Sequence, residues 1–535
     1  MILSAQLARF DSQSLVRAAL AACALASVLL AVMYFRHVPM SPDGGWYAYP
    51  SFAWAEGGDP SENMTEFSKV AGAGDRPVAR FGWENRLNLT VPVMGAWFEM
   101  FPASAGTIAL LGVLQWLAIA GLAGAAVILA TGDRMLGAAA AIFTLSDSRL
   151  IAEAISDARP DVPVLLTALA LLVALVASMR NNGTIARLAA VMLAVALPLV
   201  HVTSANVIAA LGAFLALAAL LEWRSGRPAR HAALLLAPAL VMVVVFLARQ
   251  PILDVLVPTT VPPELEAVGQ HSLIGKLKAI IATGAAAKLG MEWTRWAQQF
   301  HAANLAHLAF LLSGIAALLA LGREALRDPV ARTSTALYGG ILAGIIVMAA
   351  VDPHETPGHA MVLAVVGYAA AAIAIARWMV LSPTRVAPVA MVAVAGLLAG
   401  AAALKLAHTG LIHWRYGREG ISVAAVRQAL DAALPAPGER SVVRIEGASE
   451  VWPYLTERGQ RIEIDDRDRY MVPRMADALP AEGAAVIVVT DDHYKAGWGA
   501  LLNRWREAGL VTREASIGSC ARTSRCMEIW RVVAK

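Results

Sequence analysis

Residues 105–130 read AGTIALLGVLQWLAIAGLAGAAVILA and contain no charged side chain. A helix of this length rises about 39 Å, which is enough to cross the hydrocarbon core of a bilayer. Ten other apolar runs predict further spans, and one of them, 135–155, is interrupted by Asp147, Arg149 and Glu153. The rest lie at 18–35, 162–179, 188–200, 205–221, 232–247, 305–321, 334–351, 361–376 and 386–404. The sequence therefore predicts an all-α polytopic membrane bundle of about eleven transmembrane helices.

Charged residues divide the chain into two parts. Of the 535 residues, 58% are hydrophobic and 16% are charged, which excludes an ordinary cytosolic enzyme and a disordered chain. Residues 1–404 hold 48 charged residues, about 12%, whereas residues 405–535 hold 36, about 27%, as in a soluble domain. We expect a transmembrane domain at 1–404 and a soluble domain at 405–535. The net charge of +4 gives no indication of a nucleic-acid partner.

Arginines mark one side of the predicted bundle, since cytoplasmic loops of membrane proteins carry an excess of Lys and Arg. With the N-terminus in the cytoplasm, the loops on that side hold Arg9, Arg17, Arg134, Arg180, Arg187, Arg224, Arg227, Arg230, Arg323, Arg327, Arg332, Arg377 and Arg385. Arg36, beside the first span, is an exception. An odd number of spans then predicts that the soluble domain is extracytoplasmic, on the periplasmic side of a bacterial inner membrane.

The long first extracytoplasmic loop, 37–104, carries ionisable residues close to the membrane. Asp43 follows the first span, in the stretch Ser-Pro-Asp-Gly-Gly-Trp-Tyr-Ala-Tyr. A lone aspartate at this place is either a solvated helix cap or a catalytic group. Further along, Glu84 and Arg86 precede an apolar stretch, 89–101, that predicts a short interfacial helix. Because long ordered loops are uncommon unless they are functional, these three residues are candidates for a site.

A second cluster, Asp157, Arg159 and Asp161, opens the span at 162–179 on the same face. Acids and proline suit the first turn of a helix, so capping explains Asp157 and the intervening Pro160. A cation at a helix N-terminus is disfavoured unless it binds an anion. Arg159 is therefore a candidate ligand for a phosphate.

Two further turns on this face hold ionisable groups. His201 lies between two spans, and His354, Glu355 and His359 join two later ones. Each turn alone is compatible with an ordinary polar connection. Taken together with the two clusters above, they place acids, arginine and histidine on one face of the bundle. Such a set suits acid/base transfer beside a phosphate leaving group.

The other long outside loop, 249–304, contains alternating apolar and basic residues at 272–288, followed by Trp293 and Trp296. This pattern predicts a helix in the membrane interface, with tryptophans at headgroup depth. The helix either caps the bundle or forms a lid over a lipid-facing cleft.

Residues 415–535 alternate strand-like and helix-like runs. The continuous apolar run 485–489 is typical of a buried central strand, and Trp498, Leu501 and Trp505 recur at helical spacing. Strands are predicted at 441–445, 461–464, 484–490 and 527–533, and helices at 451–458 and 498–508. We expect a small α/β domain.

The chain contains three cysteines. Cys23 falls within the first span, where it suits apolar packing. Cys520 and Cys526 lie six residues apart in the predicted outside domain and form a candidate disulfide, which that compartment allows.

These motifs resemble the polytopic glycosyltransferases of the C-type fold, in particular the bacterial branch related to protein O-mannosyltransferases and lipid A aminoarabinose transferase. Asp43, the aromatic and alanine residues after it, and the turn Gly58-Asp59-Pro60 are similar to the first loop of that family. Glu84-Asn85-Arg86 is similar to its Glu-x-basic element, and Arg159-Pro160-Asp161 to the Arg-Pro-Asp that opens its fourth helix. The resemblance covers roughly residues 15–400.

The resemblance implies transfer of a sugar from a polyprenyl-phosphate donor to a glycan, lipid or protein acceptor on the outer face, with inversion. It implies that Asp43 is the base and that Glu84 is a second catalytic residue. Arg86, Arg159, His201 and His354 would bind the donor phosphate, and Asp157, Asp161, Glu355 and His359 would orient the substrates. A divalent cation is compatible with these residues, and whether a metal is required stays open.

Two other classes of protein fit the composition. A transporter or flippase of lipid-linked sugars expects ionisable residues near the midplane and often internal repeats, whereas the charges here gather at one face. A membrane-anchored cell-envelope interaction protein needs far fewer spans than this chain has.

Overall fold

The computed structural model describes residues 12–57, 88–181, 183–226, 229–256, 285–351, 356–383, 386–418, 422–434, 442–446, 451–459, 461–465, 487–490, 499–518 and 526–533. The first helices are α1 (Ser12–His37), α2 (Pro42–Ala55), α3 (Thr90–Met100), α4 (Ala105–Thr131), α5 (Arg134–Leu145), α6 (Ser148–Ala152) and α7 (Asp161–Asn181), with a π-helical turn at Glu153–Asp157. They are followed by α8 (Thr184–Val200), α9 (Ser204–Arg224), α10 (Ala229–Leu247), α11 (Arg249–Leu256) and α12 (Ala285–Gln299). A 3₁₀ turn at Ala302–Asn304 leads to α13 (Leu305–Leu321), α14 (Glu324–Arg327), α15 (Pro329–Val351), α16 (Pro357–Leu381) and α17 (Val386–Arg418).

Within the described residues, eight helices are long and apolar enough to cross a membrane: α1, α4, α7, α9, α13, α15, α16 and α17. The segments α5 and α6, the latter with its π-helical turn, are bent by 53° and count as a ninth span if taken together. The helices α8 and α10 contain shorter apolar segments. Each predicted apolar run therefore coincides with a helix or with the bent pair. The chain is a multi-pass membrane protein, and the predicted polytopic bundle is confirmed.

Local sequence sets the ends of these helices. In α4, the Ser104 side chain accepts from the Thr107 backbone N–H, and the Thr107 hydroxyl oxygen accepts from the Ser104 backbone N–H. The same helix stops at Gly132, whose φ of 79° is left-handed and favours glycine. Such caps satisfy the backbone groups that a helix leaves unpaired at its ends.

The bent pair also arises from capping. The Asp147 carboxylate accepts from the backbone N–H groups of Arg149 and Leu150, at 2.9 and 3.2 Å, so a new helix begins at Ser148. The π-helical turn then follows, and α4 packs closely on it. A Cβ on Gly112 of α4 would overlap the carbonyl oxygen of Ala154, so only glycine fits at this contact.

Helix α16 lies at the centre of the bundle, and every residue from Gly358 to Ala376 is buried. Alanines occupy much of it and allow neighbouring helices to approach closely. Polar contacts with α15 reinforce the packing, since the Ser334 hydroxyl donates to the carbonyl oxygen of Ala370 at 2.7 Å.

The C-terminal part combines helices and two small sheets. Its elements are α18 (Val423–Ala433), β1 (Val442–Glu446), α19 (Trp452–Glu457), β2 (Arg461–Asp465), β3 (Ile487–Thr490), α20 (Gly499–Glu507), β4 (Val511–Ile517) and β5 (Met527–Val532). Strands β1 and β2 are parallel, with Val443 opposite Ile462. Strand β5 lies between β3 and β4 and is antiparallel to both. The predicted α/β character is confirmed. Strand β4 was not predicted, because its sequence VTREASI lacks an apolar run.

The predicted boundary at residue 404 falls inside α17. Lys405 is fully buried, and Ile412 and Tyr416 belong to the same apolar core as the bundle. The Lys405 ammonium is accommodated because it donates to the carbonyl oxygen of Ala303 at 2.5 Å and to Oδ1 of Asn304 at 2.6 Å. The division into 1–404 and 405–535 stays a prediction.

Two other predictions are partly covered by the described residues. Of the loop segment 272–288, only residues from Ala285 onward are described, as the start of α12, in which Trp293 is 79% exposed. Whether the segment is a lid stays a prediction. Cys526 is disulfide-bonded, and Cys520 lies outside the described residues, whereas Cys23 is buried and free.

Candidate functional site

The π-helical turn carries two acids, Glu153 and Asp157, that pair with an arginine of α6. Glu153 is fully buried, and its Oε1 lies 2.6 Å from Nε of Arg149. The same guanidinium reaches Asp157, with 3.9 Å between Nη2 and Oδ2. Turns of the π type are rare and are frequently found at functional sites. The wider turn is closed by Ala158, whose φ is 45°.

Asp161, at the start of α7, contacts an arginine and a histidine. Its Oδ2 lies 3.2 Å from Nε of Arg159, and its Oδ1 lies 3.6 Å from Nε2 of His359. An acid in the first turn of a helix is favoured by the helix dipole. Arg159 and His359 come from different elements, so Asp161 joins the turn before α7 to the start of α16.

The start of α16 is pressed against both buried carboxylates. A Cβ on Gly358 would lie 2.6 Å from either carboxylate oxygen of Glu153 and 2.9 Å from Oδ2 of Asp161. These separations are too short for a real carbon atom. A side chain at 358 would therefore displace the carboxylates of Glu153 and Asp161 from their present places.

Helix α2 brings Asp43 to the same place. Its cap is Ser41, whose side chain accepts from the Gly44 N–H at 3.1 Å and whose backbone N–H donates to the carbonyl oxygen of Ser156 at 3.0 Å. A Cβ on Gly44 would lie 2.6 Å from the carbonyl oxygen of Asp157. The first turn of α2, which contains Asp43, thus lies directly on the π-helical turn.

His201 follows the last residue of α8 and is buried beside Tyr47 of α2, with ring centroids 5.7 Å apart. Its Nδ1 accepts from the Thr203 backbone N–H at 3.3 Å. Burial lowers the pKa of His201 to about 3, with Asp161 opposing this shift and Arg249 adding to it. His201 is therefore neutral at physiological pH and contributes a hydrogen-bond donor rather than a charge.

These residues form the site cluster: Arg149, Glu153, Asp157, Arg159, Asp161, His201 and His359. It lies at the end of the bundle where α1 and α8 finish and where α4, α7 and α16 begin, which we call the site end. Among the described residues, three of its buried atoms have no hydrogen-bond partner: Oε2 of Glu153, Oδ1 of Asp161 and Nε2 of His201.

The structure brings together most of the predicted site residues that it describes: Asp157, Arg159, Asp161, His201 and His359, with the backbone of Asp43. Glu84, Arg86, His354 and Glu355 lie outside the described residues. Within the described ranges, no group of three or more His, Cys, Asp or Glu side chains is arranged to hold a metal ion.

Arg149, Glu153 and Gly358 belong to the site, although the sequence did not single them out for a role. Two opposite charges four residues apart inside an apolar run were the available signal, because such residues share a helix face. Gly358 left no comparable signal, because the residues that a Cβ at this position would meet lie about 200 positions away in the sequence.

A second polar group, missed by sequence reasoning, lies inside the bundle. This inner cluster consists of Asp147, Gln299, Asn304, Tyr368 and Lys405, and each member is fully buried. Oδ2 of Asp147 accepts from the Tyr368 hydroxyl and from Nε2 of Gln299, both at 2.8 Å, and Oδ1 accepts from Nδ2 of Asn304 at 3.1 Å. The bonds from Lys405 to Asn304 complete the network.

A cleft of about 170 Å³ adjoins the π-helical turn at Ile155 and Ser156. Its wall includes Arg36 at the end of α1, together with Arg427 and Tyr454 from the C-terminal part. The C-terminal residues therefore share a surface with the site end of the bundle.

The helical bundle, the α2 segment laid on its site end and the C-terminal α/β part together have the C-type glycosyltransferase fold. The chain is similar to ArnT from Cupriavidus metallidurans with undecaprenyl phosphate bound, at 14% identity and a TM-score of 0.50, over 96% of this chain and 98% of that one. The apo state of the same protein gives 15% identity and a TM-score of 0.46, over 96% and 97%.

Because these identities are low, the likeness shows the fold alone. No family model matches the chain, and no curated protein matches it either. The resemblance predicted from short motifs is confirmed at the level of the fold.

Proposed function

We propose that the protein is an integral-membrane glycosyltransferase that moves a sugar from a polyprenyl-phosphate donor to an extracytoplasmic acceptor. The observation that carries the proposal is the packing of the first turn of α2, with Asp43, on the π-helical turn, whose acids Glu153 and Asp157 are paired with Arg149 of α6. The fold is compatible with it, since ArnT with that fold has been solved with undecaprenyl phosphate bound. The site end would face the periplasm of a bacterial inner membrane.

In the proposed reaction, Asp43 removes the proton from the acceptor hydroxyl while that oxygen attacks the anomeric carbon of the sugar. The bond from that carbon to the phosphate oxygen breaks in the same step, and polyprenyl phosphate leaves. Direct displacement inverts the anomeric centre. A positioned base contributes roughly 10²- to 10⁴-fold to such a step.

The leaving phosphate needs cations and hydrogen-bond donors. Arg149 and Arg159 supply guanidinium groups with side-chain exposures of 25% and 13%, and carboxylates hold both in place. Arginine binds phosphate in a planar, two-pronged geometry. His201 adds a neutral donor through Nε2, and Asp157, Asp161 and His359 orient these groups. The lipid tail can remain in the bilayer because the site lies at the ends of the spans.

The test compares Asp43, in the first turn of α2, with Glu56, the residue that follows its last turn. Asp43→Asn should reduce sugar transfer in proteoliposomes by roughly 10³-fold, because the amide cannot take the proton. The control is Glu56→Gln, at the exposed end of the same helix, which should transfer at the wild-type rate. Transfer from labelled polyprenyl-phosphate sugars to cell-envelope acceptors is the measurement. Normal turnover by a folded Asp43→Asn variant would refute the assignment of the base.

A further inference from the structure

The short helix α19 of the C-terminal part packs against α2, the helix that carries Asp43. Trp452, the first residue of α19, is fully buried, and its indole N–H donates to the carbonyl oxygen of Gly45 at 2.9 Å. The same ring stacks on Phe52 of α2, with centroids 5.0 Å apart and planes inclined by 25°, and contacts Tyr49 edge-on at 5.9 Å. One side chain therefore holds both the first turn and the aromatic face of α2.

Two other side chains of α19 bond to the backbone before α2 and before α4. The Tyr454 hydroxyl accepts from the backbone N–H of Met40, just before α2, at 3.1 Å. The Thr456 hydroxyl donates to the carbonyl oxygen of Ala103, just before α4, at 2.5 Å. Apolar residues of α18, α19, α2 and α3 close around these bonds in one core.

Helix α2 is poorly able to hold its own position. Its first turn contains Gly44 and Gly45, and glycine lowers helix stability by about 1 kcal/mol relative to alanine. Pro50, inside the helix, has no N–H to donate to the preceding turn. The segment thus depends on outside contacts for a fixed geometry.

Those contacts come from two opposite parts of the sequence. The π-helical turn meets Gly44 through the carbonyl oxygen of Asp157, and α19 meets Gly45 through Trp452. Asp43 precedes both glycines in the same turn. Its place is therefore set by the bundle through one glycine and by the C-terminal part through the next.

We propose that α19 is a positioning device for the candidate base, in which Trp452 and Tyr454 fix the first turn of α2 and thereby the place of Asp43. The inference rests on the proposed function for its effect on catalysis. It gives the C-terminal part a role in the transfer step itself. Small misplacements of a catalytic group cost up to about 10²-fold in rate.

The test pairs two buried tryptophans of the C-terminal part. Trp452→Phe removes the indole donor to Gly45 but keeps an aromatic ring. Trp530→Phe is the matched control, because Trp530 is also buried and donates to Glu528 at 3.1 Å, yet belongs to a separate core cluster. We expect kcat to fall roughly 10-fold in Trp452→Phe with KM for the donor changed less than about twofold, and to stay near wild type in Trp530→Phe.

A second variant and a second readout keep the test decisive if Trp452→Phe folds poorly. Tyr454→Phe removes only the hydroxyl that holds Met40, and should lower kcat by a smaller factor, about threefold. Hydrogen exchange of residues 44–52 should rise in both variants and not in Trp530→Phe.

The outcomes separate this inference from the proposed function. Equal kcat for both tryptophan variants, or unchanged hydrogen exchange in α2, would overturn the positioning role. The proposed function would still stand if the wild-type protein transfers sugar. A wild-type protein that transfers no sugar would overturn the proposed function, and the exchange measurement would still decide whether α19 orders α2.

Discussion

The site cluster and the inner cluster are both polar groups buried in an apolar bundle, but they differ in how their atoms are paired. In the inner cluster both oxygens of Asp147 are met by donors, and the described residues leave only Oε1 of Gln299 without a partner. In the site cluster Glu153, Asp161 and His201 each keep one buried atom without a hydrogen-bond partner among the described residues.

This difference distinguishes buried polar groups that stabilise the fold from buried polar groups that can bind a substrate. Buried polar groups are normally paired, and a network whose members satisfy one another stabilises a unique packing. Atoms that the described residues leave unpaired are suited to a substrate that arrives later. We therefore interpret the inner cluster as a structural element and the site cluster as the reacting centre.

The largest effect on stability is expected in the inner cluster. Lys405→Met should lower the free energy of unfolding by about 2–4 kcal/mol, because the oxygens of Ala303 and Asn304 lose a buried donor. The thermal midpoint in detergent is the measurement. Transfer activity per folded molecule should stay near wild type.

Leu406→Met is the control for this change, since it places methionine at the next, 51% exposed position of the same helix. It should leave the midpoint unchanged. Loss of activity in Lys405→Met without loss of stability would contradict the structural role of the inner cluster. It would show that this cluster takes part in sugar transfer.

An intermediate effect is expected where the site cluster meets α16. Gly358→Ala forces the carboxylates of Glu153 and Asp161 to move, since its Cβ would lie 2.6 and 2.9 Å from their oxygens. Stability should fall by about 1–3 kcal/mol and transfer by roughly 10- to 100-fold. Gly396→Ala in α17, whose Cβ would meet nothing within 4 Å, should change neither quantity. Full activity in Gly358→Ala would show that the placement of the two acids is not critical.

The smallest effect concerns pH. His201 has a pKa of about 3 when folded and about 6.5 when unfolded, so its burial stabilises the protein above pH ~6.5 and less as the pH falls towards 3. The slope is at most about 1.4 kcal/mol per pH unit. Thermal midpoints measured from pH 7.5 to 5 should fall less steeply in His201→Gln than in wild type. Equal slopes in His201→Gln and in wild type would contradict the neutral state of His201.

The sequence predicted the membrane class, the spans and one face of the site because each depends on local composition. A run such as 105–130 has no soluble alternative, and acids beside membrane ends are few enough to be noticed. The same reasoning missed Lys405, which was taken for the start of the soluble domain. A single charge looks solvated in a sequence, and only its contacts with Ala303 and Asn304 show that it is buried.

By itself the sequence determined that the chain crosses a membrane repeatedly, that an α/β part follows and that Asp43 and Arg159 lie near helix ends. Only the tertiary structure decided that α2 lies between the π-helical turn and α19. It also placed Glu153 in the site cluster, Gly358 beside that cluster and Trp452 against α2. These contacts join residues from about 110 to 400 positions apart. Local propensity contains no information about such distances, because packing of the completed bundle brings these residues together.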